Sequence, residues 1–262
     1  MGLDTALWVC GVVEEAALIL LLARIRVFKA FPAFFLFVCW SFASDALMFA
    51  LRAIPPAMFF RLYEGQMVID SAMIFAVLVE LAWSVLRPVR GSLPRGSWAG
   101  IALLIALAGL LLWPVAGFTL PRYLTQEGAN FFRLQQTFAI LRVIVFLGMA
   151  AFSQLLAIGW RSRELQIATG LGFYSIVSLA ISVLHTHQIV GIEYHWLDDF
   201  GVVCYLSTLS YWVLAFATKE VIHKNFSPQM QSFLLLVGST ARAGRAALAD
   251  SVVTKARRKD NE

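Results

Sequence analysis

The residues able to do chemistry are ionisable groups set inside apolar runs. Glu14 and Glu15 lie near the middle of the first run, and Asp45 follows Ser41 and Ser44 in the second. The third run, Phe59 to Arg87, carries Glu64, Gln66, Asp70 and Glu80. Arg142 is the cation deep within the fifth, where Arg133 lies near the start, with Gln135 two turns before Arg142 on the same helical face. A charge in the middle of an apolar span is costly and is usually paired or functional. The acids outnumber Arg142, so some carboxyls must be neutral, face water or hold a cation. Glu14, Asp45, Asp70, Glu80, Gln135 and Arg142 therefore form a candidate ligand or proton site, with Arg142 expected to pair with Asp70 or Asp45. The plainer alternative is a buried interhelical ion pair beside neutral acids bonded to serines and backbone. Glu14 and Glu15 point about 100° apart, so at most one of them faces any single pocket.

Hydroxyls form a second group: Ser175, Ser178 and Ser182 beside Tyr174, then Tyr205, Ser207, Thr208, Ser210, Tyr211 and Trp212. At helical spacing such groups bond between helices or back to their own backbone; the other reading is that they line the same pocket. Three of the 4 histidines, His185, His187 and His195, fall where the sixth run ends, near Glu193, Asp198 and Asp199. His185, His187, His195 and Asp199 supply enough nitrogen and oxygen for a divalent metal such as zinc or copper at that face. A pH-responsive cluster and simple solvated loop histidines are the competing readings.

Several chemistries find no support in the residue pattern. Haem between helices would need histidines inside the runs, and a retinal Schiff base would need a lysine within the seventh, whereas Lys219 follows its core. No histidine reaches the midplane serines, which argues against a Ser-His-Asp triad. No Walker-type glycine loop is present, and no link between runs is long enough for a soluble domain. The 3 cysteines, Cys10, Cys39 and Cys204, lie inside apolar runs and read as buried structural thiols.

The elements that must position these groups are membrane helices. Of 262 residues, 60% are hydrophobic and 14% charged, and the mean hydropathy is +0.76. Soluble domains are nearer half apolar and a quarter charged. Apolar runs at about 5–25, 32–53, 58–86, 97–118, 130–160, 165–190 and 197–222 are each long enough to span a bilayer. Pro32, the Pro55-Pro56 pair, Pro88, Pro94, Pro121 and Gly191 punctuate the links. The first run follows no basic segment and reads as a retained span, not a cleaved signal.

The net charge of +5 is explained by its distribution, not by nucleic acid. Arg24, Arg26 and Lys29 follow the first run, Arg87, Arg90 and Arg95 the third, Arg161 and Arg163 the fifth, and the C-terminal segment is basic. Asymmetry at alternate links predicts an external N-terminus and a cytoplasmic C-terminus in a cell inner membrane. The expected fold is all-α: a seven-helix transmembrane domain over 1–226, then a basic, partly amphipathic tail over 227–262. Within it an element at about 228–250 reads as interfacial, and Arg242, Arg245, Lys255, Arg257, Arg258 and Lys259 suit anionic lipid head groups.

Phe31-Pro32-Ala33-Phe34-Phe35, Ile158-Gly159-Trp160-Arg161 and Gly170-Leu171-Gly172-Phe173 resemble a family of bacterial seven-helix integral membrane proteins that carries no characterised activity to transfer. The architecture is also loosely similar to bacterial seven-helix sensor domains. The expectation is a non-enzymatic membrane protein that senses a small ligand or pH, or serves as a subunit, and acts through a protein partner or as a homo-oligomer. A small transporter or proton-coupled carrier using the midplane acids is the alternative, although no internal repeat is evident. A metal-dependent enzyme at the histidines is a third reading.

Overall fold

A computed structural model describes residues 3–51, 55–85, 96–116, 126–155, 163–187 and 193–218. The basic tail, including Arg242, Arg245, Lys255, Arg257, Arg258, Lys259 and the interfacial element expected at 228–250, lies outside the described residues. In hydrocarbon a spanning segment must satisfy its own N–H and C=O groups, which leaves the helix as the form for a single apolar run. The helices are α1 (Leu3–Arg24), α2 (Pro32–Leu51), α3 (Pro56–Val85), α4 (Ser97–Ala116), α5 (Gln126–Leu155), α6 (Arg163–His187) and α7 (Glu193–Ala217). The described chain is thus all-helical, and 7 helices are long and apolar enough to cross a membrane.

Their limits lie within about a turn of the apolar runs. Helices α5 and α7 begin earlier than the runs because backbone hydrogen bonding, not hydropathy, decides where a helix starts. Pro32 and Pro56 open α2 and α3, where a missing N–H costs nothing. Between α1 and α2 the chain turns through Arg26 at φ 57° and a 3-10 turn, Val27–Lys29. Buried Val27 and Phe31 anchor that link.

Among the described residues, α1, α2, α3, α5, α6 and α7 touch in that order, and α7 returns to α1, closing a ring. Helix α4 packs outside it, against α3 and α5. Its outward face is apolar, with Leu111 76% exposed, as hydrocarbon solvation permits. Cys10 is also exposed, and Cys39 is half-buried, so of the cysteines only Cys204 is the buried thiol expected. The reason is rotational: Cys10 lies on the face of α1 turned away from the bundle.

Helix ends carrying Arg24 and Arg163 define one end of the bundle, here the basic end. Its half of the ring is filled by apolar side chains, including Leu18, Leu22, Phe34, Val77, Leu81, Leu165, Trp212 and Phe216. Trp212 meets Phe34 edge-on at 5.1 Å and donates from Nε1 to the Gln166 carbonyl at 3.2 Å. Two charged side chains cap neighbouring helices there. Glu80 of α3 accepts the backbone N–H groups of Ala33 and Phe34, at 3.0 and 2.9 Å, in the first turn of α2. Arg163 of α6 donates to the carbonyls of Ala215 and Thr218 at the end of α7, at 2.9 and 3.0 Å. Each places its charge at the helix end that the macrodipole favours.

Gly170 and Gly172 set two helix–helix distances. Two residues apart on a helix means roughly opposite faces, about 200° around the axis. A Cβ on Gly170 would collide with the Trp212 indole of α7, and one on Gly172 with Phe146 of α5. Gly170→Ala should therefore cost about 1–3 kcal/mol through overpacking. Gly100→Ala, whose Cβ would meet nothing within 4 Å, should be neutral or stabilising. Thermal unfolding of the purified protein followed by tryptophan fluorescence reads both; equal midpoints would show that α6 and α7 are not held this close.

Candidate functional site

The half of the ring away from the basic end is polar inside. Helical periodicity brings Ser41, Ser44 and Asp45 to one face of α2, and Gln66 and Asp70 to one face of α3. Gln135 and Arg142 from α5, Tyr174 and Ser178 from α6 and Tyr205 from α7 complete the walls of a cavity of about 280 Å³. A second cleft of about 450 Å³ shares Tyr174, Ser178 and Tyr205 with it. That cleft continues past Tyr63, Ile181, Leu197 and Gly201, towards the end opposite the basic one.

Behind the wall lies a carboxyl. Glu15 of α1 is 0% exposed, and its Oε1 accepts hydrogen bonds from Ser41 Oγ, at 2.9 Å, and from the Tyr205 hydroxyl. Ser41 Oγ and the Tyr205 hydroxyl are themselves 3.0 Å apart. Three helices are thus tied at one point. The other oxygen, Oε2, has no bonded partner. From Ser41 the chain of bonds runs on, because Ser44 donates to the Ser41 carbonyl at 3.0 Å and Gln66 Nε2 donates to Ser44 at 3.1 Å. On the outer side of the network, Ser210 of α7 donates to Glu14 at 2.7 Å.

The expected pairing of Arg142 with Asp70 or Asp45 does not form. Asp70 accepts instead from the Trp40 indole across the contact between α2 and α3. Arg142, only 7% exposed, has its guanidinium 5.9 Å from the centre of the Tyr174 ring, and its Nε is bonded to nothing. The reason is placement: Arg142 lies on α5 beside α6, whereas the carboxylates line α2 and α3. Asp45 and Asp70 line the same cavity as Arg142.

Of the residues singled out by sequence, the fold brings Asp45, Asp70, Gln135 and Arg142 to one cavity. Glu80 does not line it and serves as the cap of α2. Glu14 does not line it either; its neighbour Glu15 is the acid joined to the cavity wall. The signal that separates them is the helical face, but a sequence does not say which face of α1 meets α7. Trp40 and Met67 gave no sequence signal at all, being apolar residues in apolar runs. Most hydroxyls of α6 and α7 follow the plainer reading: Ser175, Ser207 and Thr208 bond to carbonyls of their own helices. Ser182 instead accepts from Gln136 of α5 at 2.6 Å.

His185 and His187 belong to the last turn of α6 and His195 to the first turn of α7, but their side chains lie outside the described residues. Asp199, the fourth candidate ligand, is half-buried on α7. Among the described residues no group of three or more potential ligands is assembled. No protein-family model matches the chain, and neither a curated protein nor a solved structure is found similar to it.

Tyr205→Phe leaves buried Glu15 with Ser41 as its single donor, and should cost about 1–3 kcal/mol. Glu15→Gln keeps an acceptor while removing a charge from the span, and should leave the thermal midpoint at or above that of the unmodified protein. A Tyr205→Phe midpoint identical to that of the parent protein would remove the three-helix tie as a source of stability.

Proposed function

We propose that this is a multi-pass protein of a bacterial inner membrane that binds a small polar ligand in its central cavity and reports occupancy to a protein partner. It is a sensor or complex subunit in this reading, and not an enzyme. The observation that carries it is Arg142: a permanently charged side chain, buried at the cavity wall, with its guanidinium Nε bonded to no described residue. An arginine kept in a span for stability alone would be matched to a carboxylate or to carbonyls.

The orientation follows from charge. Arg24, Arg26, Lys29 and Arg163 gather at one end, which the positive-inside rule assigns to the cytoplasm. The N-terminus is then external, and the cleft past Tyr63 and Leu197 offers the ligand an extracytoplasmic approach. On the cytoplasmic side, residues 227–262 supply basic groups for anionic lipid head groups and for a partner.

A proton-coupled carrier is the second reading, favoured by the grouping of Glu15, Asp45 and Asp70 near one cavity. Carriers of this kind use intramembrane carboxyls as relays.

Small molecules released on denaturing the protein purified from its native membranes, identified by mass spectrometry, test the ligand reading. A species near equimolar with the protein should appear, and Arg142→Gln should deplete it at least about tenfold, equivalent to about 1.4 kcal/mol of binding. If the two preparations release the same molecules in the same amounts, the cavity is not a ligand site. Substrate flux into proteoliposomes that is lost in Asp70→Asn would move the protein to the carrier class.

A further inference from the structure

The chemistry of the cavity walls narrows the ligand. Arg142 presents a guanidinium whose planar fork matches a carboxylate in two parallel hydrogen bonds. No described carboxylate lies within the 4.0 Å of an ion pair to it. The acids are on other walls of the same cavity. Asp70 has one oxygen engaged by Trp40, and Asp45 lines the same cavity. A guanidinium and two carboxyl groups therefore line one small space without bonding to one another.

A monovalent anion would satisfy Arg142 and add to the negative charge facing Asp45 and Asp70. A monovalent cation would satisfy the acids and leave Arg142 buried without a counter-charge. Either outcome leaves one wall of the cavity without an opposite charge in contact with it, in a low-dielectric site where that is expensive. A molecule carrying both signs a few ångströms apart matches both walls at once.

Size sets a second limit. Drug-sized ligands occupy pockets from about 300 Å³ upward, and this cavity measures about 280 Å³. The space suits a compact metabolite. Its remaining wall mixes hydroxyls, from Ser41 and Ser178, with the apolar faces of Phe138 and Ile74, so a short side chain of either character can be housed.

We propose that the cavity binds a small zwitterion of the α-amino-acid type, with its carboxylate on Arg142 and its ammonium between Asp45 and Asp70. This rests on the reading of the cavity as a ligand site. Binding would tie α5 to α2 and α3 through one molecule. Of these, α3 and α5 already pack together, while α2 and α5 have no comparable packing and both line the cavity. Occupancy would thereby alter how α5 sits against the rest of the ring, which is the change a partner could read.

The test is thermal unfolding of the full-length protein in mild detergent with each of the proteinogenic amino acids at millimolar concentration. Each is accompanied by its decarboxylated amine and its deaminated acid. At least one amino acid should raise the midpoint by about 2–4 °C or more, with neither of its one-charge analogues doing so. Arg142→Gln and Asp45→Asn should abolish the shift, and both variants remove a charge from the span and so should fold. Arg142→Lys, which keeps the charge but loses the fork, should weaken the shift without abolishing it.

Three results would overturn the proposal. A deaminated acid that stabilises as well as its amino acid makes the cavity an anion site, and an amine that does so makes it a cation site. In both cases the ligand reading stands and the zwitterion falls. If no amino acid shifts the midpoint, the zwitterion again falls, and the Arg142-dependent metabolite sought by mass spectrometry decides whether the ligand reading falls with it.

Discussion

Within a span, a polar group that lacks a protein partner has little water to replace it, and the bundle is organised around that constraint. Helix ends and charged side chains satisfy one another across helices. The Glu80 carboxylate accepts two N–H groups of α2, and the Arg163 guanidinium donates to two carbonyls at the end of α7. These bonds lie between different helices, so they fix the relative height of α2 against α3 and of α6 against α7. Lipid provides no hydrophobic drive to associate helices, so packing and such bonds carry the association.

The two halves of the ring divide the work. At the basic end, Phe34, Trp212 and Phe216 interlock, and Gly170 lets α6 approach the Trp212 indole. Close packing there leaves the helices few alternative arrangements. In the other half α2, α3, α5, α6 and α7 surround a cavity, and side chains that would be expensive in lipid line it together. The dense half holds the helices in register, so that hydroxyls and charges from α2, α3, α5, α6 and α7 meet in the open half.

Within that open half, satisfaction is uneven. Glu15 has Ser41 and Tyr205, Asp70 has Trp40, and Glu14 has Ser210. Arg142 has the face of Tyr174, and its Nε is bonded to no described residue. A buried guanidinium nitrogen left unbonded at a cavity wall is a cost of the kind that functional sites retain. The same contrast separates Arg142 from Arg163, whose donors are directed to α7 carbonyls.

The spans were legible in the sequence because hydrophobic length is a one-dimensional property, and runs of about 20 apolar residues specify helices without reference to their neighbours. The polar stripes on α2 and α3 were legible too, since Ser41, Ser44 and Asp45, or Gln66 and Asp70, recur at the helical period. Partner choice was not. The period states which residues share a face and not which helix that face meets. Thus Glu14 was indistinguishable from Glu15, Glu80 looked like a site residue although it caps α2, and Arg142 was assigned to carboxylates that it does not reach. Composition and apolar run length alone determined seven helices long and apolar enough to cross a membrane; the order in which those helices close into a ring decided which polar side chains meet, because interhelical contacts depend on rotation and height that no single span encodes.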